Sequence, residues 1–307
     1  MRKTLLLIAF LSCTQAALAC DLCNGYITIT PNDNKHAMGF RYRFSRYEAA
    51  AGEHTMAKIL HGEMNATEDY HTYELWGRFY PTQKIQIEVA IPYRYNRSSE
   101  NNAGSHTVQS LGDLIVLTHY EVLSAFPKGP DAANQRLYLG GGVKLPTGEY
   151  KKKTGGVIDP HLQTGTGSLD FMLSGLYLAK FNNIGAKAGA NYSFNNENKN
   201  EFTFANRLNL SGSLFYQINA GDAVWMPSVG INFEQAKQDL QNEAALENTG
   251  GNMLLGVIGS DLYFKSYSLN ASYQWPIKQS IDDDQPENQG RFVIGLSYMF
   301  KSKNDMF

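Results

Sequence analysis

The chain has 307 residues, a formal net charge of −2 and 43% hydrophobic residues. That size fits one large domain or two small ones, and the near-neutral charge gives no footing for a nucleic-acid partner. Mean hydropathy is negative, yet this does not imply a soluble protein, because a transmembrane barrel needs apolar residues only at every second position.

The first element is a signal peptide, 1–19. Met1-Arg2-Lys3 is basic, Leu5 to Leu11 is apolar, and Ala17-Leu18-Ala19 is a small-x-small exit. Cleavage after Ala19 makes Cys20 the first mature residue. A lipoprotein box competes with this reading, although Ala17 stands where a branched residue is preferred. No later segment is apolar for long enough to form a spanning helix. Residues 20–37 form a periplasmic segment. It carries Cys20 and Cys23, and its stretch Asn24 to His36 either plugs a lumen or stays a loose tail. Cys20 and Cys23 form a disulfide-type loop, bind a soft metal (copper or zinc, with His36 as a further ligand), or leave Cys20 for lipidation. A c-type haem is excluded, because Asn24 stands where a His is required.

From Met38 onward, period-two alternation recurs in twelve segments. They are 38–47, 70–80, 85–96, 112–123, 136–145, 168–179, 185–194, 202–217, 224–234, 253–264, 266–275 and 291–301. The first reads Phe40, Tyr42 and Phe44 against Arg41, Arg43 and Ser45. The third sets Ile85, Ile87, Val89, Ile91, Tyr93 and Tyr95 against Gln86, Glu88, Ala90, Pro92 and Arg94. The tenth is apolar throughout, so its facing cannot be read. Long and short connections mostly take turns. Pro81 to Lys84 and Lys180 to Ile184 are short, while Arg97 to Leu111, Pro146 to Gly167 and Gln235 to Asn252 are long and polar.

This rhythm predicts an all-β, antiparallel transmembrane β-barrel of about twelve strands across 38–301. Long loops face outward, both termini are periplasmic, and 302–307 form a tail. Strands of about ten residues match the tilted bilayer span, and closure removes unpaired backbone groups from hydrocarbon. Phe40, Tyr42 and Phe44 are expected to face lipid. Tyr93, Tyr95, Tyr216, Tyr273 and Trp275 are candidates for the interfacial belts. Alternation turns Arg41, Arg43, Glu74, Arg78, Glu88, Arg94, Asp113, His119, Glu121, Arg136, Lys144, Asp170 and Lys187 into the lumen. There they either pair structurally or line a solute path. A twelve-stranded barrel implies a narrow or plugged pore.

Two stretches, "SLGDLIVLTHYEVL" and "LYLGGGVKLPTGEY", resemble the outer-membrane channel family of the meta-pathway of phenol degradation. The resemblance rests on Gly112-Asp113 and on Lys144-Leu145-Pro146-Thr147-Gly148, extends from Leu111 to Phe194, and includes "GTGSLDFMLSGLYLAK". The opening "CDLCNG" is also similar to some barrels of this type. The resemblance implies a channel or transporter for small, often aromatic or hydrophobic, molecules, with outer-membrane lipid and a small solute as partners. The Pro-Thr-Gly run itself marks a strand ending at a loop.

Other chemistry is weakly signalled. His54, Met56, His61, Met64 and His71 are residue types that suit copper, but their spacing matches no motif. Glu53, Glu63, Glu68 and Asp69 fit a solvated loop instead. No nucleophile elbow, His-Glu-x-x-His or phosphate-cradling glycine run occurs, and Ser105-His106 has no sequence partner. No enzyme is expected. The alternative readings are a metal-binding or metal-resistance surface protein and a structural barrel platform.

Overall fold

The computed structural model describes residues 35–49, 66–100, 104–126, 133–154, 156–281 and 285–300. Cys20, Cys23, the signal peptide, the tail, His54, Met56, His61 and Met64 lie outside the described residues. Among the described residues no helix is long and apolar enough to cross a membrane.

Twelve antiparallel strands form one closed barrel. They are β1 (His36–Ala49), β2 (Ala66–Thr82), β3 (Ile85–Glu100), β4 (Gly104–Leu111 continued by Leu114–Ala125), β5 (Asn134–Leu145) and β6 (Asp170–Phe181). The second half comprises β7 (Ile184–Phe194), β8 (Arg207–Tyr216), β9 (Ala223–Ala236), β10 (Gly251–Phe264), β11 (Tyr267–Ser280) and β12 (Glu287–Phe300). Each strand pairs with its sequence neighbours, and β1 closes on β12 from His36↔Phe300 to Glu48↔Glu287. Closure leaves the sheet no edge, as hydrocarbon requires.

The alternation fixes the register. Phe40, Leu75, Ile91, Leu139, Leu173, Leu214, Val229, Ile258 and Leu296 are exposed on the outside. Arg41, Arg43 and Ser45 are buried on the inside. Slipping β1 by one residue would put both arginines into lipid, at roughly 2–4 kcal/mol each near the midplane. Tyr42, Tyr73 and Tyr93 align in one row toward the long-loop end, and Tyr273 stacks with Trp275. Tyr216, Trp225, Phe264 and Tyr267 are exposed toward the short-turn end. Amphipathic rings therefore flank the apolar band at both levels.

Four expectations change. Residues expected to form a loop between Arg97 and Leu111 instead extend the β3–β4 hairpin, with Ser98↔His106 and Tyr93↔Leu111 in register. The strand expected to begin at Gly112 is broken there, because Gly112 and Asp113 leave the ladder to meet a loop. Phe202 does not start a barrel strand: Phe202–Thr203 pairs with Leu240–Gln241 in a small loop ladder, and β8 begins at Arg207. Glu68 and His71 belong to β2. Glu68 is 2% exposed and accepts the Tyr70 hydroxyl at 2.9 Å, so it is an interior group and not a solvated loop residue. The facing of β10 is also resolved: Met253, Leu255 and Tyr263 are buried inside, while Ile258, Leu262 and Phe264 are exposed outside.

Candidate functional site

The interior is built in three levels. The lowest, near the short turns, is apolar: Ala37, Tyr138, Leu176, Leu178, Phe215, Met226, Tyr263 and Met299 pack together, with Trp76 and Val224 against them. Alternation predicts a narrow lumen lined by charged and polar residues. This cluster instead occupies part of the end of the barrel that carries the first residues of β1 and the last of β12.

Charge held by partners lies above it and also at its own level, where Arg78, Arg136 and Glu121 stand opposite Ala37, Leu178 and Tyr138 in the ladder, since an unpaired charge away from water is costly. Arg41 Nε donates to Glu74 at 2.9 Å, and the Arg43 guanidinium lies 3.7 Å from the same carboxylate. Arg94 acts electrostatically on it as well. Arg41 also sits 5.8 Å over the Trp76 ring. Arg78 is 1% exposed and faces the Tyr80 ring at 6.0 Å. Glu88 is buried. Glu121 lies 3.7 Å from Arg136, and Lys144 lies 2.7 Å from Asp170. His119 is fully buried with Nε2 3.0 Å from Ser174 Oγ, apart from the charged groups.

Two pairs cross the lumen between strands that are not neighbours. Arg291 on β12 grips Glu234 on β9 through two bonds of 2.6 and 3.0 Å and also donates to Tyr47 at 3.1 Å. Lys187 on β7 meets Asp261 on β10 at 3.1 Å. Lys187, Asp261, Arg41, Asn232 and Asn270 line a mid-lumen cavity of about 160 Å³ with Ser211, Ser213, Ser228 and Ser272. Arg291, Glu234 and Asp261 were missed as site residues. Arg291 alternates with the exposed Phe292 at the start of the twelfth segment, and that alternation carries its signal.

The third level is a cap of folded loops. Asp113 is its hub: Oδ1 accepts Gly148 N at 3.0 Å, and Oδ2 accepts Thr166 N and Thr166 Oγ1, each at 2.8 Å. Thr147 Oγ1 accepts Leu114 N and donates to the Gly112 carbonyl, both at 2.9 Å. Gly112-Asp113 and Pro146-Thr147-Gly148 are thus two halves of one joint. A Cβ on Gly148 would lie 2.6 Å from Gly165 Cα, so the crossing admits only glycine. Asn96 Nδ2 donates to the carbonyls of Leu162 and Gln163, both at 3.0 Å, tying the same loop to β3.

His161 in this loop meets Asp239 in the β9–β10 loop at 2.9 Å, with Phe202 and Phe204 edge-on to the imidazole. Burial alone would lower the His161 pKa. The Asp239 hydrogen bond and charge, with the Asp159 charge, outweigh burial and raise it. Burial likewise opposes the Asp239 carboxylate, but His161 and Arg207 hold its pKa below the usual range. Asp239 Oδ1 also accepts Ala205 N at 2.7 Å, and Asp239 N donates to Thr249 Oγ1 at 2.9 Å. Three loops are therefore latched at one buried ion pair.

Of the proposed metal ligands, His36 accepts Tyr80 N through Nδ1 at 3.1 Å and stacks on Phe300. His71 is on the outer face, with Nδ1 2.8 Å from the Tyr42 hydroxyl. Among the described residues no group of three or more His, Cys, Asp or Glu side chains is arranged to hold a metal ion.

No family model matches the sequence, and no curated protein matches it. Solved structures do match in fold. An outer-membrane channel from Pseudomonas putida F1 superposes with a TM-score of 0.57 at 14% identity, over 92% of this chain and 99% of that one. The β domain of the Bordetella autotransporter BrkA gives a TM-score of 0.48 at 14% identity, over 86% and 99% of the two chains. The first likeness shows the fold: a transmembrane barrel of outer-membrane type.

Proposed function

We propose that this chain is an outer-membrane channel that lets small solutes pass down their gradient. The long loops face outward and both chain ends face the periplasm. The observation that carries this reading is the cavity of about 160 Å³ in the charged middle of the closed barrel. It sits between the loop cap and the apolar cluster near the short turns. A barrel serving only as a platform has no need of a polar space walled by Lys187, Asp261 and serines. The apolar cluster that includes Met226 and Tyr263 narrows the path at the periplasmic end.

The solute class follows from the resemblance carried by Gly112-Asp113 and Lys144 to Gly148, whose two halves dock on each other through Thr147 and Asp113. It points to small aromatic or hydrophobic molecules. The interior candidates from Arg41 to Lys187 serve as the polar wall of the path, and the segment 20–37 remains on the periplasmic side. The test is swelling of liposomes containing the full mature protein in isosmotic small solutes. Swelling that falls off with solute size supports a channel. Liposomes with folded protein that behave like protein-free ones favour the platform.

A further inference from the structure

We propose that the mouth of the barrel holds a binding site for small organic carboxylates with a ring-sized apolar body, taken up with the carboxylate inward. The outer chamber, about 210 Å³, has Tyr150, Ile158, Pro160, Phe202 and Phe204 in its walls. A cavity of about 150 Å³ accommodates benzene, so one ring fits. The inner chamber, about 50 Å³, lies directly behind it, and the two share Pro160, Gln163, Gly165, Thr166 and Phe204.

The chemistry changes across that shared wall. Arg94, Lys144, Arg207 and His161 line the inner chamber, and Asp113 is the one carboxylate among the described residues that line it. Asp113 is already answered by Gly148 N, Thr166 N and Thr166 Oγ1. Lys144 is matched by Asp170, and His161 and Arg207 both act on Asp239. Asp159, close to His161, is turned to the backbone, accepting His161 N at 2.9 Å. Arg94 acts on Glu74 together with Arg41 and Arg43. Arg207 lies 5.9 Å over the Phe204 ring, at the boundary between the chambers. Both Arg94 and Arg207 also interact with neighbouring protein groups, and a planar guanidinium suits a carboxylate through two parallel hydrogen bonds. A neutral ring would fill only the outer chamber, and an inorganic anion only the inner one.

The site deepens the channel reading by naming what is selected at the mouth, but its binding is measurable without flux. Full mature protein in detergent is titrated with benzoate, benzamide and acetate by calorimetry, in parallel with liposome swelling in a neutral sugar. Benzoate is expected to bind at least tenfold more tightly than either benzamide or acetate. Arg207→Gln and Phe204→Ala should each weaken benzoate at least tenfold, while Lys84→Gln, in the exposed short turn between β2 and β3 at the other end of the barrel, should leave it unchanged. Arg207→Lys, which keeps the charge and loses the fork, provides the second variant should Arg207→Gln not fold, and should fall in between. Equal binding of benzoate and benzamide, equal binding of benzoate and acetate, or no benzoate binding by folded protein overturns the site. Absence of sugar flux with benzoate binding intact would count against the channel and not against the site.

Discussion

Removing the Asp113 carboxylate isolates what holds the external cap to the barrel. Asp113→Ala strips the acceptor from Gly148 N at 3.0 Å and from Thr166 N and Thr166 Oγ1 at 2.8 Å. A hydrogen bond to a charged group contributes roughly 1.5–3 kcal/mol, and a buried donor left without a partner costs roughly 1–3 kcal/mol. The three donors sit in a loop that water reaches once it lifts, so part of the loss is recovered. A net loosening of about 3 kcal/mol remains, equivalent to roughly a hundredfold rise in the open population. Amide exchange of the protein in detergent micelles reads this locally. Residues 146–150 and 163–167 should exchange at least tenfold faster, while β7 and β11 stay protected. Unchanged exchange in the loop would show that Asp113 is not the hub. Equal acceleration in every strand would show that it holds the barrel and not the cap.

Other perturbations test the register, the cross-lumen tie and the latch. Leu75 is 60% exposed between Phe40 and Ile91 on the outer face; Leu75→Arg should cost roughly 2–4 kcal/mol in lipid vesicles by denaturant titration, and no loss would place Leu75 inside. Arg291→Met leaves Glu234 buried without its bidentate partner and should destabilise by roughly 3–5 kcal/mol, most of it regained in Arg291→Met/Glu234→Leu; a neutral single variant would make the tie idle. The His161 pKa is raised on folding, so its stabilising contribution is complete below the unfolded value of 6.5 and is lost as pH rises through the folded value. The Asp239 pKa is lowered, so its contribution is present above 3.8 and is lost as pH falls through the folded value. Exchange protection of 156–163 and 237–250 should therefore decline on the alkaline side of 6.5, and His161→Gln should abolish that pH dependence. A pH-independent latch in the native chain would contradict the assignment.

The barrel could be read where its two faces differ in polarity. Phe40 against Arg41, Tyr42 against Arg43, and the run from Ile85 to Tyr95 state the inward and outward sides directly, and Pro146 marks the end of β5. The reading weakened where both faces are apolar. Leu173, Gly175 and Tyr177 face out while Ser174, Leu176 and Leu178 are buried inside, so alternation fades along β6, and β10 has the same problem. The inner apolar layer was hidden for that reason: Leu178, Phe215 and Tyr263 look like any other strand residues. Loops carry no period. Nothing near His161 in the chain announces Asp239, and the break at Gly112-Asp113 becomes intelligible only beside Thr147, Gly148 and Thr166. Charged site residues on strands were therefore accessible from alternation, whereas the cap and its chambers depend on packing between distant segments.

Single-channel recording in planar lipid bilayers tests the central claim most directly. The native protein should insert and give discrete conductance steps, and Met226→Ala/Tyr263→Ala, which thins the apolar layer, should enlarge them severalfold. Folded, inserted barrels of both proteins that carry no current would contradict the account.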